Sequence, residues 1–524
     1  MKRIIFLLMY FLRIGSLDAQ TVIEVEGNVS GIWEADTIKV LSNLVVPINE
    51  NLTINPGSVI KFMGFYTLDI KGSIHAIGMP NNSITFTVYD TTGFTDYASK
   101  SGGWNRILLV DQPENADSTI FDFCSFEYSK TDTSQLHGGV LFIDRAHRVR
   151  ISNCTFHNNK AYVNGGAIFF TSSKAIVKNN LFTKNSSGND VDWGYGGAIC
   201  SVNSDVQISR NSFIENSSTG IGGAFSFEFI APWCDANIFE NNYSPLGGAI
   251  SVLRASGGAI TNNLIVNNQS LFFGGAIALV SGSPVILNNT IVANHSTYGG
   301  GLYCNEESNP QVINNIFWGN NADAGYGRQV FIWDALSEPK FYNCNFEHGQ
   351  EDFAAGGYHG IYQDCIELEP IFEGNSPTPF ALNENSPCID AGLIDIDGLP
   401  LYELDLAGNP RVQNQRIDIG AYEFQGNSSI ISPHTDSNQR ISISYCAQSE
   451  SIIVLLYLTK PNKDGFLSIY NISGQLINRY HLGPLKNEIY KVKMPLPRFV
   501  SNGIYVGFFF SGNEVMSTKF AVTR

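Results

Sequence analysis

Between Gly188 and Tyr195 the chain reads Gly-Asn-Asp-Val-Asp-Trp-Gly-Tyr, which sets two carboxylates, Asp190 and Asp192, beside two aromatic rings, Trp193 and Tyr195. Side chains of these types bind rather than react. Rings stack on the apolar face of a sugar or on a protein partner, and carboxylates accept hydroxyl protons or hold calcium. A second acidic pair, Asp395 and Asp397 in Asp-Ile-Asp-Gly, has calcium-loop spacing without the downstream ligands of an EF-hand. Beyond a calcium ion that either pair could hold, no cofactor is called for.

Catalysis would need more. A polysaccharide lyase wants calcium-binding carboxylates beside an Arg or Lys that abstracts a proton, and a hydrolase wants two or three Asp on one face. Neither cluster stands out. His348, His359 and Asp364 are neighbours only along the chain, so no catalytic residue is assigned.

The elements that must carry the 188–195 loop repeat. Phe121, Ile151, Val177, Ile208, Cys234, Ile260, Ile286, Val312 and Phe341 are equivalent positions, 26 to 31 residues apart. A regular period of this length is the signature of a solenoid. Each unit opens with alternating apolar residues, as in Val177 to Phe182 and Ile260 to Ile265, which is strand periodicity. Three residues on stands an Asn: Asn159, Asn185, Asn216, Asn242, Asn268, Asn294 and Asn320. These are expected to take the left-handed conformation of a sharp corner, with stacked amides bonding coil to coil. A second strand follows Gly-Gly-Ala-Ile at Gly165, Gly196, Gly247 and Gly274, or Gly-Gly-Ala-Phe at Gly222. The paired glycines permit a close turn, Ala fits where coils crowd, and the large apolar residue points inward.

The fold class expected is all-β: a right-handed parallel β-helix over residues 21–372, then a cap at 373–425, a linker at 426–447 and a small antiparallel β-sandwich at 448–524. A dozen coils stacked at ~4.8 Å make a rod roughly 60 Å long. Outward strand positions read mostly as Ser, Asn, Thr and small apolar residues, so the rod reads as a scaffold and the 188–195 loop as what it displays.

The chain has 524 residues and a formal net charge of −16, which disfavours nucleic acid, because phosphate binding needs a clustered positive field. Residues 1–20 have the layout of a secretory signal: Lys2 and Arg3, an apolar run from Ile4 to Leu12, then small residues to Gln20. No other stretch reads as a transmembrane segment. The nine cysteines lack the spacing of a disulfide framework and read as mostly buried thiols, with Cys124, Cys154 and Cys344 in one repeat position.

The alternation of Phe-x-x-Asn with Gly-Gly-Ala-Ile over residues 121–346 resembles the repeats of the polymorphic outer-membrane proteins, bacterial surface β-helices that act as adhesins. That family usually carries a membrane β-barrel, which is not visible here. Asn385-Ser386-Pro387-Cys388-Ile389-Asp390-Ala391-Gly392, Asp405-Leu406-Ala407-Gly408-Asn409-Pro410-Arg411 and Asp418-Ile419-Gly420-Ala421-Tyr422-Glu423 together resemble the choice-of-anchor Q module that closes many surface β-helices. Ala407 stands where that module commonly has a second acid. Gly465 to Leu476, Gly503-Ile504-Tyr505-Val506 and Lys519-Phe520-Ala521-Val522 resemble the type A sorting domain of the type IX secretion system, without its usual Pro-Asn-Pro.

These resemblances imply a secreted protein, extracellular or attached to the bacterial outer-membrane surface. Its expected partners are the type IX secretion machinery and a carbohydrate or a host or matrix surface ligand, and its expected role is that of an adhesin or binding scaffold rather than an enzyme. The alternative is an extracellular polysaccharide lyase or glycoside hydrolase of the pectate-lyase-like fold, since parallel β-helices host those enzymes too.

Overall fold

A computed structural model describes residues 21–96, 99–112, 118–230, 232–323, 326–355, 358–393, 403–413, 416–425, 440–446, 451–457, 462–471, 476–485, 489–497, 500, 503–511 and 514–522. The expected signal at 1–20 and the pair Asp395 and Asp397 lie outside the described residues.

One coil shows how the sequence makes the solenoid. Strand Leu181–Thr183 ends at Lys184, whose φ of 54° turns the chain left-handed, and Asn185 behind it is buried. A two-residue strand, Ser186–Ser187, leads into the displayed loop and then Gly196-Gly197. Strand Ile199–Val202 follows, then left-handed Asn203, strand Asp205–Ser209, left-handed Arg210 and buried Asn211. The next coil begins at Ser212. The ladders between Val22 and Gln363 are parallel, as in Phe182 opposite Phe213 and Ile199 opposite Phe225.

Stacking these units gives a 13-stranded sheet from Gly31–Trp33 to Tyr362–Gln363 and a 24-stranded sheet made of two ladders. The two join through the long strand Thr37–Val46, which pairs with Val59–Phe62 at one end and Leu68–Ile70 at the other. A 7-stranded ladder of short strands, from Lys160–Ala161 to Asn321–Ala322, lines the remaining corner. The core is a one-dimensional stack. Phe126, Phe156, Phe182, Phe213 and Phe239 lie ring on ring at centroid distances of 4.8, 4.6, 4.9 and 4.8 Å. That is the separation of adjacent strands, so identical side chains in register face each other directly.

The inner corners carry two amide ladders. In one, Asn159, Asn185, Asn216, Asn242, Asn268, Asn294 and Asn320 each pass an Nδ2 hydrogen bond of 2.9–3.0 Å to the next Oδ1. In the other, Asn180, Asn211, Asn237, Asn263, Asn289 and Asn315 do the same. The first ladder corrects one expectation. Its Asn residues are not left-handed; the residue before each is, and among Lys184, Glu215, Asn241, Asn267 and Ala293 every one is exposed. The left-handed residue points out at the bend, so the residue after it points in, where an amide can reach both the next coil and a backbone carbonyl. Left-handed Asn does occur at the other corner, at Asn153, Asn179, Asn262, Asn288, Asn314 and Asn343.

Residues 388–393, 403–413 and 416–421 lie along that second corner and clasp the side of the rod. Asn343 Nδ2 donates to Ala391 O, Asn314 Nδ2 to Leu393 O and Asn288 Nδ2 to Asp418 O. Arg411 reaches Asn262 Oδ1 through Nη2 at 2.7 Å. Beneath the clasp the outward apolar side chains Leu264, Val266, Leu287, Val292 and Ile313 are covered. The stretch expected as a cap thus docks laterally over several coils.

Two antiparallel sheets follow. Arg440–Cys446, Ser451–Tyr457 and Ile489–Pro495 form one; Leu476–Leu485, Asn462–Asn471, Gly503–Ser511 and Glu514–Val522 form the other. Ile443, Val454 and Leu456 of the first share a core with Leu467, Ile469 and Phe509 of the second, as a sandwich requires. Its first strand starts inside the stretch read as linker, because Arg440 to Cys446 alternates apolar and polar and pairs throughout with Ser451 to Tyr457.

Candidate binding face

The Gly-Gly turn decides which side chains share a face. In each coil the first glycine is left-handed, with φ of 65° at Gly165 and Gly196. A Cβ on the second would lie 2.0 Å from the next coil's carbonyl, as Gly166 meets Gly197 O and Gly197 meets Gly223 O. This close approach fixes the residue just before the pair in a column running along the rod. His137, Asn164, Tyr195, Ile221 and Leu246 are bridged coil to coil, Leu246 is in register with Phe273, and Phe273 bridges to Tyr298. Gly299 N donates to Tyr326 O, which continues the column to Tyr326.

The strand after the turn supplies a second, outward column. Leu108, Phe142, Phe169, Cys200, Ser226, Ser251, Ala278, Tyr303, Phe331 and Ala354 stand in register. The two columns interlock by one rule: the ring before a Gly-Gly pair packs on the outward ring of the following coil. His137 lies on Phe169 at 4.8 Å, Phe273 on Tyr303 at 4.8 Å and Tyr298 on Phe331 at 5.2 Å. Trp333 completes the group, 5.5 Å from Phe273 and 5.9 Å from Phe331.

The face therefore has two aromatic ends, and between them Tyr195 is the one ring in the two columns, among Asn164, Ile221, Leu246 and the small residues Cys200, Ser226, Ser251 and Ala278. At the amino-terminal end Arg106 lies over Phe142 at 4.9 Å and donates to His137 O. Burial, reinforced by the Arg106 charge, lowers His137 to a pKa of about 4, so this imidazole is neutral near pH 7. At the other end Tyr326 and Trp333 are exposed, and Phe272 beside them is 46% exposed. Burial raises the Tyr303 phenol well above its ordinary value, with Cys304, Glu306 and Asp334 adding to the shift. Arg328, at the same end, pairs with Asp352 at 3.7 Å. An open depression of about 390 Å³, lined by Gly319, Asn320, Asn321, Ala322, Arg328 and Glu347, lies at this end of the rod.

The residues singled out by sequence fall at the middle of this face. Asn189 Oδ1 accepts from Val191 N and Asp192 N and closes the 188–195 loop into a turn, and Thr219 of the next coil holds it by accepting from Gly194 N. Asp190, Asp192 and Trp193 are exposed, Trp193 by 62%. Tyr195 is half-buried and belongs to the column before the Gly-Gly pairs. Loop and aromatic cluster thus share one side of the rod, separated along the column by Ile221 and Leu246. His348 bonds Asp352 at 2.9 Å, whereas Asp364 turns a corner with φ of 52°. Glu306 N donates to Asp334 Oδ2, which binds the two turns of successive coils together.

Sequence reading missed the Phe273, Tyr298, Tyr303, Tyr326, Phe331 and Trp333 cluster. The available signal was an aromatic residue immediately before the Gly-Gly pair in successive repeats, at Phe273 and Tyr298.

Among the described residues no group of three or more His, Cys, Asp or Glu is placed to hold a metal ion, and no helix is long and apolar enough to cross a membrane. The eight cysteines whose side chains are described are free thiols, and burial raises Cys200, Cys234 and Cys304 well above the ordinary thiol range. Cys124 N lies 3.4 Å from Cys154 Sγ, which places two of the three equivalent cysteines in stacked coils. No curated protein matches the chain. Residues 112–244 and, overlapping them, 187–346 match the family described as right handed beta helix region. With every ladder parallel over that span, the repeats are the coils of a right-handed parallel β-helix.

Proposed function

We propose that the protein is an extracellular binding scaffold of the adhesin kind, a rigid rod that presents one lateral face to a surface ligand. The observation that carries this reading is the aromatic cluster around Phe273, Tyr298 and Trp333, which is exposed on the same side as the 188–195 loop. Large rings held by a packed ladder offer contact area at little entropic cost, because the scaffold has already fixed them. In this reading residues 1–20 direct export, and the sandwich at 440–522 serves the type IX machinery as a sorting domain that leaves the rod on the outer-membrane surface. The antiparallel topology of those strands supports the assignment, as does the resemblance of Gly465 to Leu476.

The test is incubation of the full chain with plant, algal and host polysaccharides and matrix proteins, following both retention and the release of reducing ends or unsaturated products. Saturable retention with no product is the expected result. Product formation would overturn the reading and point to the lyase or hydrolase that the fold also accommodates. Cell fractionation with and without residues 440–524 tests the route: the intact chain should reach the surface and the shortened one should remain in the periplasm.

A further inference from the structure

Among the described residues the rod has two apolar lateral faces, and the chain covers one of them. Leu264, Val266, Val292 and Ile316 lie under the clasp. The aromatic end of the Gly-Gly face has no such cover among the described residues: Phe272 and Tyr326 are each 46% exposed and Trp333 is 53% exposed. An uncovered group of large rings on a protein surface marks a place where something binds.

The shape of the group says what kind of ligand it fits. Phe273, Tyr298 and Tyr326 follow one another coil by coil, with centroids 5.4 and 5.1 Å apart, so the strip runs parallel to the rod axis and is about one strand wide. A stable protein interface needs roughly 800 Å² on each partner. A column of three rings along the axis, with Phe331 and Trp333 packed beside it, suits an extended chain better than a globular partner. Charge narrows the class further. Glu306, three residues beyond Tyr303, donates its N–H to Asp334 in the adjoining turn, which sets two carboxylates together, and the guanidinium of Arg328 is engaged by Asp352. A polyanionic chain would be repelled there, whereas Glu306 can accept hydroxyl hydrogen bonds from a neutral one.

Resting on the binding-scaffold reading, we infer that the strip of Phe272, Phe273, Tyr298, Tyr326 and Trp333 binds a neutral polysaccharide chain lying along the rod axis. The apolar faces of successive sugars stack on the rings, and their hydroxyls meet Glu306 at the strip's edge. Trp193 sits in the loop beside Tyr195, three coils from Phe273 along the column, and is outside this footprint.

The experiment is an array of neutral oligosaccharides (β-glucan, xylan, mannan, galactan and chitin series) and anionic ones (polygalacturonate and sulfated galactan), probed with the full chain. The tightest binder is then titrated calorimetrically. The inference expects saturable binding to at least one neutral series and at least ten-fold weaker binding to every anionic one. Trp333→Ala and Tyr326→Ala should each weaken the neutral ligand by about ten-fold, equivalent to ~1.4 kcal/mol, with unchanged melting because both side chains are exposed. Trp193→Ala should leave the affinity as it is. Tighter binding of an anionic chain, neutral binding that ignores Trp333→Ala and Tyr326→Ala, or no glycan binding at all would each overturn the inference. Retention of a matrix protein, lost in Trp333→Ala, would overturn the glycan and leave the scaffold reading standing. Product formation would remove the scaffold reading itself.

Discussion

Each Asn of the inner ladders holds two coils to its own. Asn216 Nδ2 donates to Asn242 Oδ1 at 3.0 Å and to Phe182 O at 2.9 Å, and its Oδ1 accepts from Asn185 N and Nδ2. All of these atoms are buried, so replacing the side chain leaves several donors and acceptors unpaired at once. Asn216→Ala is expected to cost about 3 kcal/mol by denaturant unfolding, whereas Glu215→Ala, exposed at the same corner, should change stability by no more than about 0.5 kcal/mol. Equal losses at the two positions would contradict the ladder's role. The ladder was legible in sequence because the same residue type returned at a fixed interval. Which of two adjacent residues bends the chain was not, because Asn suits both a left-handed corner and a buried amide stack. The tie is broken by which side of the corner faces inward.

At the scale of elements, the clasp is held by a buried charge cluster. Arg411 lies 3.4 Å from Glu423; Asp418 accepts from Asp390 N and Phe424 N, and Asp405 accepts from Asn409 N and Glu423 N. One guanidinium cannot offset three carboxylates in a dry site. Burial accordingly raises Asp418 to about 6 and Glu423 to about 8. Both values exceed those of the open chain, so the docked clasp takes up protons. Its stability is fullest below about pH 4 and falls as pH rises through 6 to 8. Hydrogen exchange at the Gly392, Ile419 and Gly420 amides, which bond Ile417 O, Cys388 O and Asn314 O, should be slower at pH 5 than at pH 8 after correction for intrinsic rates. Faster exchange at pH 5 would refute the assignment. The Asp and Arg residues of this segment were legible in sequence as parts of a closing module. That they dock on Asn262, Asn288 and Asn314 was not, since nothing local to residues 388–423 records which corner of the rod they meet.

At the scale of the whole molecule, the strands, the coil period and the sandwich followed from periodicity, because each unit repeats the same local instruction. The aromatic strip did not, for its rings come from three different positions in the repeat and converge only through register between coils. The same modularity makes a strong prediction. Removing residues 211–236, one unit of 26 residues, brings Asn237 to Asn180, Phe239 to Phe182 and Gly248 to Gly197. That variant should fold with unchanged strand content and a rod shorter by ~4.8 Å in small-angle scattering. Removing 211–237 instead shifts the register by one residue, throws inward side chains outward and should not yield folded protein.

The amide ladder then has a meaning beyond stability. Every coil presents its successor with the same docking plate it received from its predecessor, so a gene encoding such a rod can lengthen or shorten by whole coils through recombination between repeats. The length of the rod, and under the proposed surface role the reach of its face, becomes a heritable quantity that varies in discrete steps, while the chemistry of the face is left alone.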